Sequence, residues 1–265
     1  MILEGFVQGI GVLGPGLPDW PNAAAVLCGR RDYVPESTVL PTPSLLPPTE
    51  RRRTGRVVKL ALAIASEAVA HAGIASGHLR SIFSSSSGDG HNCHEICQTL
   101  ASEPREISPT RFSNSVHNAS AGYWSIATGA TLASTVVCAF DGSFCAGLLE
   151  ALTQVSVDRE PVLLVAYDAE YPDPLHAKRP VPDAFGVALV LTPGRDERSA
   201  ARIEAALETA PADALQDSRL EALRRTIPAA RSLPLIRQLA LGVPDRTILE
   251  YLDVWNLAVD VAPCT

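Results

Sequence analysis

Residues 134–147 read STVVCAFDGSFCAG, and this stretch joins a strand signal directly to a helix signal. The β-branched run at its start is typical of a buried strand, whereas the small and apolar residues after Gly142 favour a helix. A strand that ends abruptly at the start of a helix is a common place to display a nucleophile. Because the stretch contains Cys138, the sequence raises the question of whether this thiol is catalytic.

The bulk composition limits the classes of protein to consider. The chain has 265 residues, 46% of them hydrophobic and 19% charged, which is ordinary for a soluble globular protein. A formal charge of −7 argues against non-specific binding to nucleic acid or to anionic membranes. No apolar run approaches the roughly 18 residues that a membrane span needs. The N-terminal residues lack a basic region, so we expect a cytoplasmic protein whose six cysteines are reduced.

Strand and helix signals alternate along most of the chain. Near-continuous apolar strands separated by helices indicate an α/β protein with a mixed sheet covered by helices. We expect a short edge or entry strand near residues 6–16 and a final strand at 256–263. The patterns predict further strands at 81–88, 131–140, 161–169, 184–193 and 201–210, and helices at 50–72, 88–103, 120–130, 143–155, 219–228, 233–242 and 246–255.

Three stretches, in order, resemble the N-terminal half of β-ketoacyl synthases of the thiolase superfamily. They are TGRVVKLALAIASEAVAHAG, PREISPTRFSNSVHNASAGYWSIATGA and STVVCAFDGSFCAGLLEA. The resemblance covers roughly residues 1–210 and implies a thiolase-like fold with a mixed five-stranded sheet covered by helices. It divides the chain into a ketosynthase-like N-terminal half, 1–200, and a shortened C-terminal half, 201–265, packed on it.

The position of the family's nucleophile does not hold a cysteine here. Counting from the Asn118–Gly122 motif places Asp141 at that position, with Phe140 just before it. Cys138 falls three residues early, inside the strand, where a thiol is more often an inert core group than a nucleophile. The family's two catalytic histidines are also missing, because no histidine follows His176. We therefore expect a degenerate nucleophile elbow at Phe140 and Asp141 that has no catalytic residue.

The resemblance implies the role of a chain-length factor, of the short type associated with aryl polyene biosynthesis. Such a chain pairs with a catalytic ketosynthase, which carries the acyl group and meets the acyl carrier protein. The candidate interface residues are Ser134, Thr135, Val136, Val137, Cys138 and Asn118. The candidates for limiting product length are Phe112, His117, Tyr123 and Phe140. Two alternatives stay open: an autonomous acyl-condensing or acyl-transfer enzyme using Cys138 or Cys145, and a stand-alone acyl-binding homodimer.

Two local motifs admit a structural and a functional interpretation. HNCHEIC (91–97) contains two histidines and two cysteines, but the His pair and the Cys pair diverge around a helix, so we expect no metal site and no cofactor. We expect His117 to donate a hydrogen bond to a backbone carbonyl group rather than to act in catalysis. Asp141 is expected to cap the helix that follows it.

Overall fold

A single mixed sheet of eight strands organises the protein. The structure, a computed structural model, describes residues 3–264. The strands are β1 (Leu3–Leu13), β2 (Arg80–Ser84), β3 (Ser134–Val137), β4 (Val162–Asp168), β5 (Phe185–Thr192), β6 (Ala201–Glu208), β7 (Asp245–Leu249) and β8 (Asn256–Pro263). Their order across the sheet is β3-β2-β4-β5-β1-β6-β8-β7. The expected mixed sheet is confirmed, but its predicted size of five strands is wrong, because β6, β8 and β7 continue the same sheet beyond β1.

Helices cover both faces of this sheet. They are α1 (Trp20–Leu27), α2 (Pro48–Arg51), α3 (Arg56–Ala72), α4 (Gly90–Leu100), α5 (Pro109–Ser113), α6 (Ala119–Thr128), α7 (Ser143–Asp158), α8 (Leu175–Lys178), α9 (Ser218–Thr226) and α10 (Leu233–Leu241). Helices α3 and α7 belong to two separate hydrophobic clusters, each completed by apolar strand residues. No helix within residues 3–264 combines the length and apolarity that crossing a membrane requires.

The first strand is long and lies in the interior of the sheet, between β5 and β6, so the prediction of a short strand is wrong, and so is its possible place at an edge. Its glycines explain both the weak signal and the position. A Cβ atom on Gly9 would lie 2.1 Å from the Ala68 carbonyl oxygen, and one on Gly11 would lie 2.2 Å from that of Ile64. Because glycine has no side chain, helix α3 packs directly on the backbone of β1.

The C-terminal ends of the parallel strands β3, β2 and β4 meet at one edge of the sheet. The buried carboxylate of Asp168 connects segments at this edge through hydrogen bonds. It accepts hydrogen bonds from the Ser86 amide (2.8 Å), the Ser86 hydroxyl (2.7 Å), the Ser85 hydroxyl (3.2 Å) and the Ala229 amide (2.9 Å). Burial nevertheless raises the pKa of Asp168 from 3.8 to about 6.

Asp168 is expected to make stability depend on pH. Because its pKa is raised on folding, its contribution is fully present below pH 3.8 and is lost as the pH rises towards 6. Replacing Asp168 by asparagine removes this titration. The free energy of unfolding of the wild type, minus that of Asp168→Asn, should therefore fall by up to about 3 kcal/mol between pH 4 and pH 7.

Urea unfolding at several pH values would measure this difference. The same substitution at the exposed Asp253 is the matched control. A difference between wild type and Asp168→Asn that stays constant across this pH range would contradict the argument.

Candidate functional site

The junction of β3 and α7 forms a sharp turn. Strand β3 ends at Val137, a 3₁₀ turn spans Phe140–Gly142, and α7 begins at Ser143. Phe140 has a φ of 51°, in the left-handed region that side chains other than glycine rarely adopt. The Ser143 hydroxyl holds the turn by accepting from the Ala139 amide (3.0 Å) and donating to the Phe140 carbonyl (2.7 Å). The predicted strand-to-helix elbow is therefore present.

Asp141 does not cap α7, so that prediction is wrong. Its carboxylate instead accepts hydrogen bonds from the guanidinium groups of Arg179 and Arg231, the second at 3.0 Å. Charge-assisted bonds to two guanidinium groups outweigh a bond to one helix amide, and Ser143 already stabilises the turn. The position at which the family resemblance expects a nucleophile thus holds a doubly paired carboxylate.

The ion pairs continue away from the elbow as a chain of alternating charge. Arg231 pairs with Glu250 at 3.0 Å, Glu250 with Arg224 at 3.1 Å, and Arg224 with Glu221 at 2.7 Å. The hydrogen bonds between Arg224 and Glu221 lower the pKa of the glutamate and raise the pKa of the arginine. Both Arg224 and Arg231 are largely buried, so solvent screens these pairs weakly. This series of ion pairs connects the loop between β7 and β8 to the elbow.

Sequence reasoning does not find Arg179, Arg231 or Glu250. Arg179 also lies over the Phe140 ring, with its guanidinium carbon 3.8 Å from the ring centroid. The Phe140 side chain is 61% exposed in spite of this stacking. The elbow therefore presents an aromatic face to solvent, held in place by an arginine that also pairs with Asp141.

The two cysteines nearest the elbow have opposite environments. Cys138 is exposed and follows the end of β3, where its thiol donates to the Ser86 carbonyl oxygen (3.2 Å). The prediction that it packs inside a buried strand is wrong, because the strand is shorter than expected and lies at the sheet edge. Cys145 is buried in α7, and burial raises the pKa of its thiol. Cys145 is therefore protonated and inaccessible at neutral pH.

The remaining pocket candidates lie on or beside α5 and α6. Phe112 is 68% exposed, whereas Tyr123 is buried and its hydroxyl donates to the Asn114 side chain (3.1 Å). Both ring nitrogens of His117 are buried without a hydrogen-bond partner among the described residues, so the expected bond to a backbone carbonyl is absent. Asn118 precedes α6 but makes no capping bond with its side chain. Phe112 is thus the candidate most available to another molecule.

Strand β3 lies at the end of the sheet and pairs, within residues 3–264, with β2 alone. The interface candidates at its four positions, Ser134, Thr135, Val136 and Val137, run along this edge. Several large apolar side chains in the segment from 100 to 140, which contains β3, are exposed, namely Leu100, Phe112, Val116, Ile126, Leu132 and Phe140. An unpaired strand edge accompanied by exposed apolar groups is typical of a surface that another chain covers.

The motif HNCHEIC (91–97) lies entirely within helix α4, and both of its cysteines are exposed. Nowhere in the described part of the chain do three or more His, Cys, Asp or Glu side chains gather in a way that could hold a metal ion. All six cysteines are free. These side chains therefore offer no preformed metal site.

Comparisons with known proteins place this geometry in a family. The profile of the β-ketoacyl synthase N-terminal domain matches residues 27–241. Comparison with curated protein sequences gives no significant match. Among solved structures, a chain of the ketosynthase and chain length factor complex from Xenorhabdus doucetiae is 23% identical, with a TM-score of 0.74 and coverage of 97% of this chain and 99% of that one.

Two other solved structures support the same fold. A chain of the ishigamide ketosynthase/chain length factor is 14% identical, with a TM-score of 0.73 over 98% of this chain and 99% of that one. A chain of a type II polyketide acyl-carrier protein complex with its hexaketide-bound ketosynthase is 10% identical, with a TM-score of 0.75 over all of both chains. With the profile match across most of its length, the chain belongs to the β-ketoacyl synthase family and has its thiolase-like fold.

Proposed function

We propose that this chain is the chain-length-factor subunit of a ketosynthase heterodimer, and that it does not itself form acyl-enzyme or condense acyl groups. The observation that supports the proposal is the pairing of Asp141 with Arg179 and Arg231, because the family resemblance expects the nucleophile at this position. The absence of histidines after His176 supports it, because the family's decarboxylation and oxyanion stabilisation use histidines from that part of the chain.

The proposal extends to the partner and the product. The partner is a catalytic ketosynthase that binds along the β3 edge, carries the acyl thioester and meets the acyl carrier protein. Two structures of similar fold contain a ketosynthase with a chain length factor. The product is a polyketide or fatty-acid-type chain of the aryl polyene class. We also propose that the chain divides into an N-terminal part, 1–200, and a trimmed C-terminal part, 201–265. Strand β6 of the second part is hydrogen-bonded directly to β1 of the first part.

Co-expression with the ketosynthase encoded nearest to it in its genome, followed by gel filtration, tests the pairing. We expect a complex with one copy of each subunit. If the chain elutes as a homodimer and never with the ketosynthase, the alternative of a stand-alone acyl-binding homodimer is favoured instead.

A second candidate function rests on the exposure of Cys138. An accessible thiol at the elbow is what an autonomous acyltransferase would need. Intact-mass measurement of the isolated chain after incubation with acyl thioesters separates the two functions. The proposed function expects no stable adduct, whereas an acyl group on Cys138 would establish the alternative.

The exposed ring of Phe112 is expected to limit product length. In the proposed heterodimer the short helix α5, which carries Phe112, reaches towards the acyl pocket of the partner, where one ring occupies the space of several methylene groups. Phe112→Ala should lengthen the products of the complex by at least one extension unit, and we expect the same direction for Phe140→Ala. Mass spectrometry of the products measures their length. Val39→Ala, which truncates another exposed side chain, is the control. An unchanged product distribution for both phenylalanine variants would exclude them from the pocket.

A further inference from the structure

The sheet has a second end, formed by β7 on the side opposite to β3. Strand β7 pairs, within residues 3–264, with β8 alone. An edge strand whose N–H and C=O groups are free is a template for pairing with another chain. Both ends of the sheet are therefore places where another chain could add a strand, unless the outer side of β7 is already occupied.

The hydrogen bonds of β7 show which of its backbone groups face outwards. In an antiparallel pair, the N–H and C=O groups of one residue point to the same side, and successive residues alternate in side. The Ile248 amide and carbonyl groups both bond to Asp213, which lies outside the ladder with β8. Ile248 therefore faces away from β8, and so does Arg246, two residues earlier. These two residues supply the four backbone groups with which β7 could bind a further strand.

Asp213 takes the place of a partner strand at Ile248. Its carboxylate accepts a hydrogen bond from the Ile248 amide at 2.9 Å, and its own amide donates to the Ile248 carbonyl oxygen at 2.8 Å. The same carboxylate oxygen accepts from the Thr247 hydroxyl at 3.0 Å. One residue thus makes both of the bonds that a partner strand would make at this position.

The outward amide of Arg246 is occupied as well. It donates to one oxygen of the Asp245 carboxylate at 2.8 Å, and the other oxygen accepts from the Gln238 side chain of α10 at 2.9 Å. Pro244 precedes β7, and proline has no N–H group with which to extend the strand. Three of the four outward backbone groups of β7 are therefore bonded to Asp213 or Asp245.

The segment that carries Asp213 is fixed on both sides of this residue. The Ala210 carbonyl oxygen accepts from the Asn256 side chain at 2.8 Å, and the Leu215 amide donates to the Glu221 carboxylate at 2.9 Å. The Asp213 residue itself is exposed, so another strand can approach β7 only by displacing it. Charged side chains on a strand edge oppose edge-to-edge association of sheets.

A second copy of this chain is the partner that the geometry of β7 would otherwise admit. Two β7 strands can pair antiparallel about a two-fold axis at Thr247, which sets Ile248 of each copy opposite Arg246 of the other. Because both residues face outwards, each opposed pair would exchange two backbone hydrogen bonds. Such a contact is isologous, as in most two-fold dimers.

We propose that Asp213, with Asp245, closes the β7 edge against a second copy of this chain, so that the sheet can be extended by a partner only at β3. A chain with two open edges could join neighbours at both and form open-ended assemblies, whereas a chain with one open edge forms a pair and stops. The closure of β7 is a property of the isolated chain. It holds whether or not the partner at β3 is a ketosynthase.

Sedimentation velocity of the isolated chain tests this closure. In a Val136→Pro background, which blocks the β3 edge, the chain should stay monomeric from micromolar to sub-millimolar concentration. Adding Asp213→Ala and Asp245→Ala frees both outward amides and should produce dimers, with a dissociation constant at least tenfold lower than that of the background. Adding Asp32→Ala and Glu160→Ala removes the same charge from exposed residues outside β7 and should leave the chain monomeric.

Hydrogen exchange of the peptide that contains β7 measures the edge directly. At low concentration the Ile248 amide should exchange roughly tenfold faster in Asp213→Ala than in the wild type, because it loses its acceptor. Asp213→Asn keeps a side-chain oxygen and should retain the protection. In the dimer of the variant that lacks both carboxylates, exchange should slow again as the concentration rises.

Circular dichroism and thermal melting would establish that each variant is folded. If the Val136→Pro chain does not fold, the same comparison with Val136 intact replaces it, since only the change caused by opening β7 is scored. An Ile248 amide that exchanges equally fast in the wild type and in Asp213→Ala would overturn the role of this carboxylate. A chain that lacks both carboxylates, exchanges faster at β7 and still self-associates no more than its background would overturn the proposed closure.

The pairing with a ketosynthase is scored separately, because these experiments contain no other protein. A chain that never binds the ketosynthase but dimerises when β7 is opened would contradict the proposed function and support the closure. The converse result would support the proposed function and contradict the closure.

Discussion

A cysteine introduced in place of Asp141 is expected to be ionised at neutral pH and unusually reactive. The guanidinium groups of Arg179 and Arg231 that now pair with the carboxylate would stabilise a thiolate instead. The N-terminus of the 16-residue helix α7 lies directly after this position and favours negative charge as well. Thiols beside arginines at helix N-termini have pKa values of roughly 3.5–7.5. Asp141→Cys should therefore react with iodoacetamide at pH 6.5 at least tenfold faster than Cys138 of the same chain.

Peptide mass mapping over a time course measures both rates in one sample, with Cys138 as the internal reference. The double variant Asp141→Cys with Arg231→Gln should react several-fold more slowly than the single variant, because one guanidinium is lost. If the introduced thiol and Cys138 were alkylated at equal rates, the elbow would not retain a field that favours a thiolate. We expect the single variant to accept acyl groups from thioesters without condensing them, because no histidine follows His176 to assist decarboxylation.

The sequence predicts the α/β architecture well wherever apolar periodicity decides the structure. Strands β4 and β5 are near-continuous apolar runs, and their patterns predict their places correctly. The first strand is wrongly predicted as a short edge or entry strand because Gly9 and Gly11 weaken its pattern. The reason for these glycines, close approach of α3, involves residues some 55 positions away and leaves no local signal.

Strand β7 shows a different limit of periodicity. Residues 246–255 carry apolar side chains at helical spacing, which predicts a helix, yet Asp245–Leu249 forms a strand paired with β8. The helical spacing arises because Leu252 and Trp255 are apolar but exposed in the loop. A pattern analysis assigns apolar residues to the core, and it therefore misreads a loop that displays them.

The strand-to-helix turn is predictable from the sequence, whereas the side chains that contact Asp141 are not. Counting from the Asn118–Gly122 motif locates the elbow at Phe140 and Asp141, and the turn is there. The partners of Asp141 come from segments around Arg179 and Arg231, and in the sequence these resemble ordinary surface charges. Only folding brings the three groups together, so the ion-pair chain could not be read from spacing.

Replacing Val136 by proline is expected to disrupt the proposed heterodimer, because Val136 lies on the unpaired edge of β3. The carbonyl groups of Ala133 and Val137 accept hydrogen bonds from the amides of Ser81 and Ser85, so the backbone groups of Val136 point to the unpaired side. Proline at this position removes an outward N–H and leaves the bonds to β2 in place. A partner strand would lose a hydrogen bond and meet the pyrrolidine ring at the centre of the contact.

We expect Val136→Pro to weaken binding to the ketosynthase more than a hundredfold, and to abolish co-elution at micromolar concentrations. Val136→Ala is the matched control, because it removes the same side-chain packing against the neighbouring hydrophobic cluster but keeps the N–H. It should bind within about tenfold of the wild type. Thermal melting of both isolated variants separates loss of pairing from loss of folding. Wild-type affinity in a folded Val136→Pro chain would mean that the ketosynthase does not pair with this strand, since an edge that lacks the N–H cannot continue the ladder.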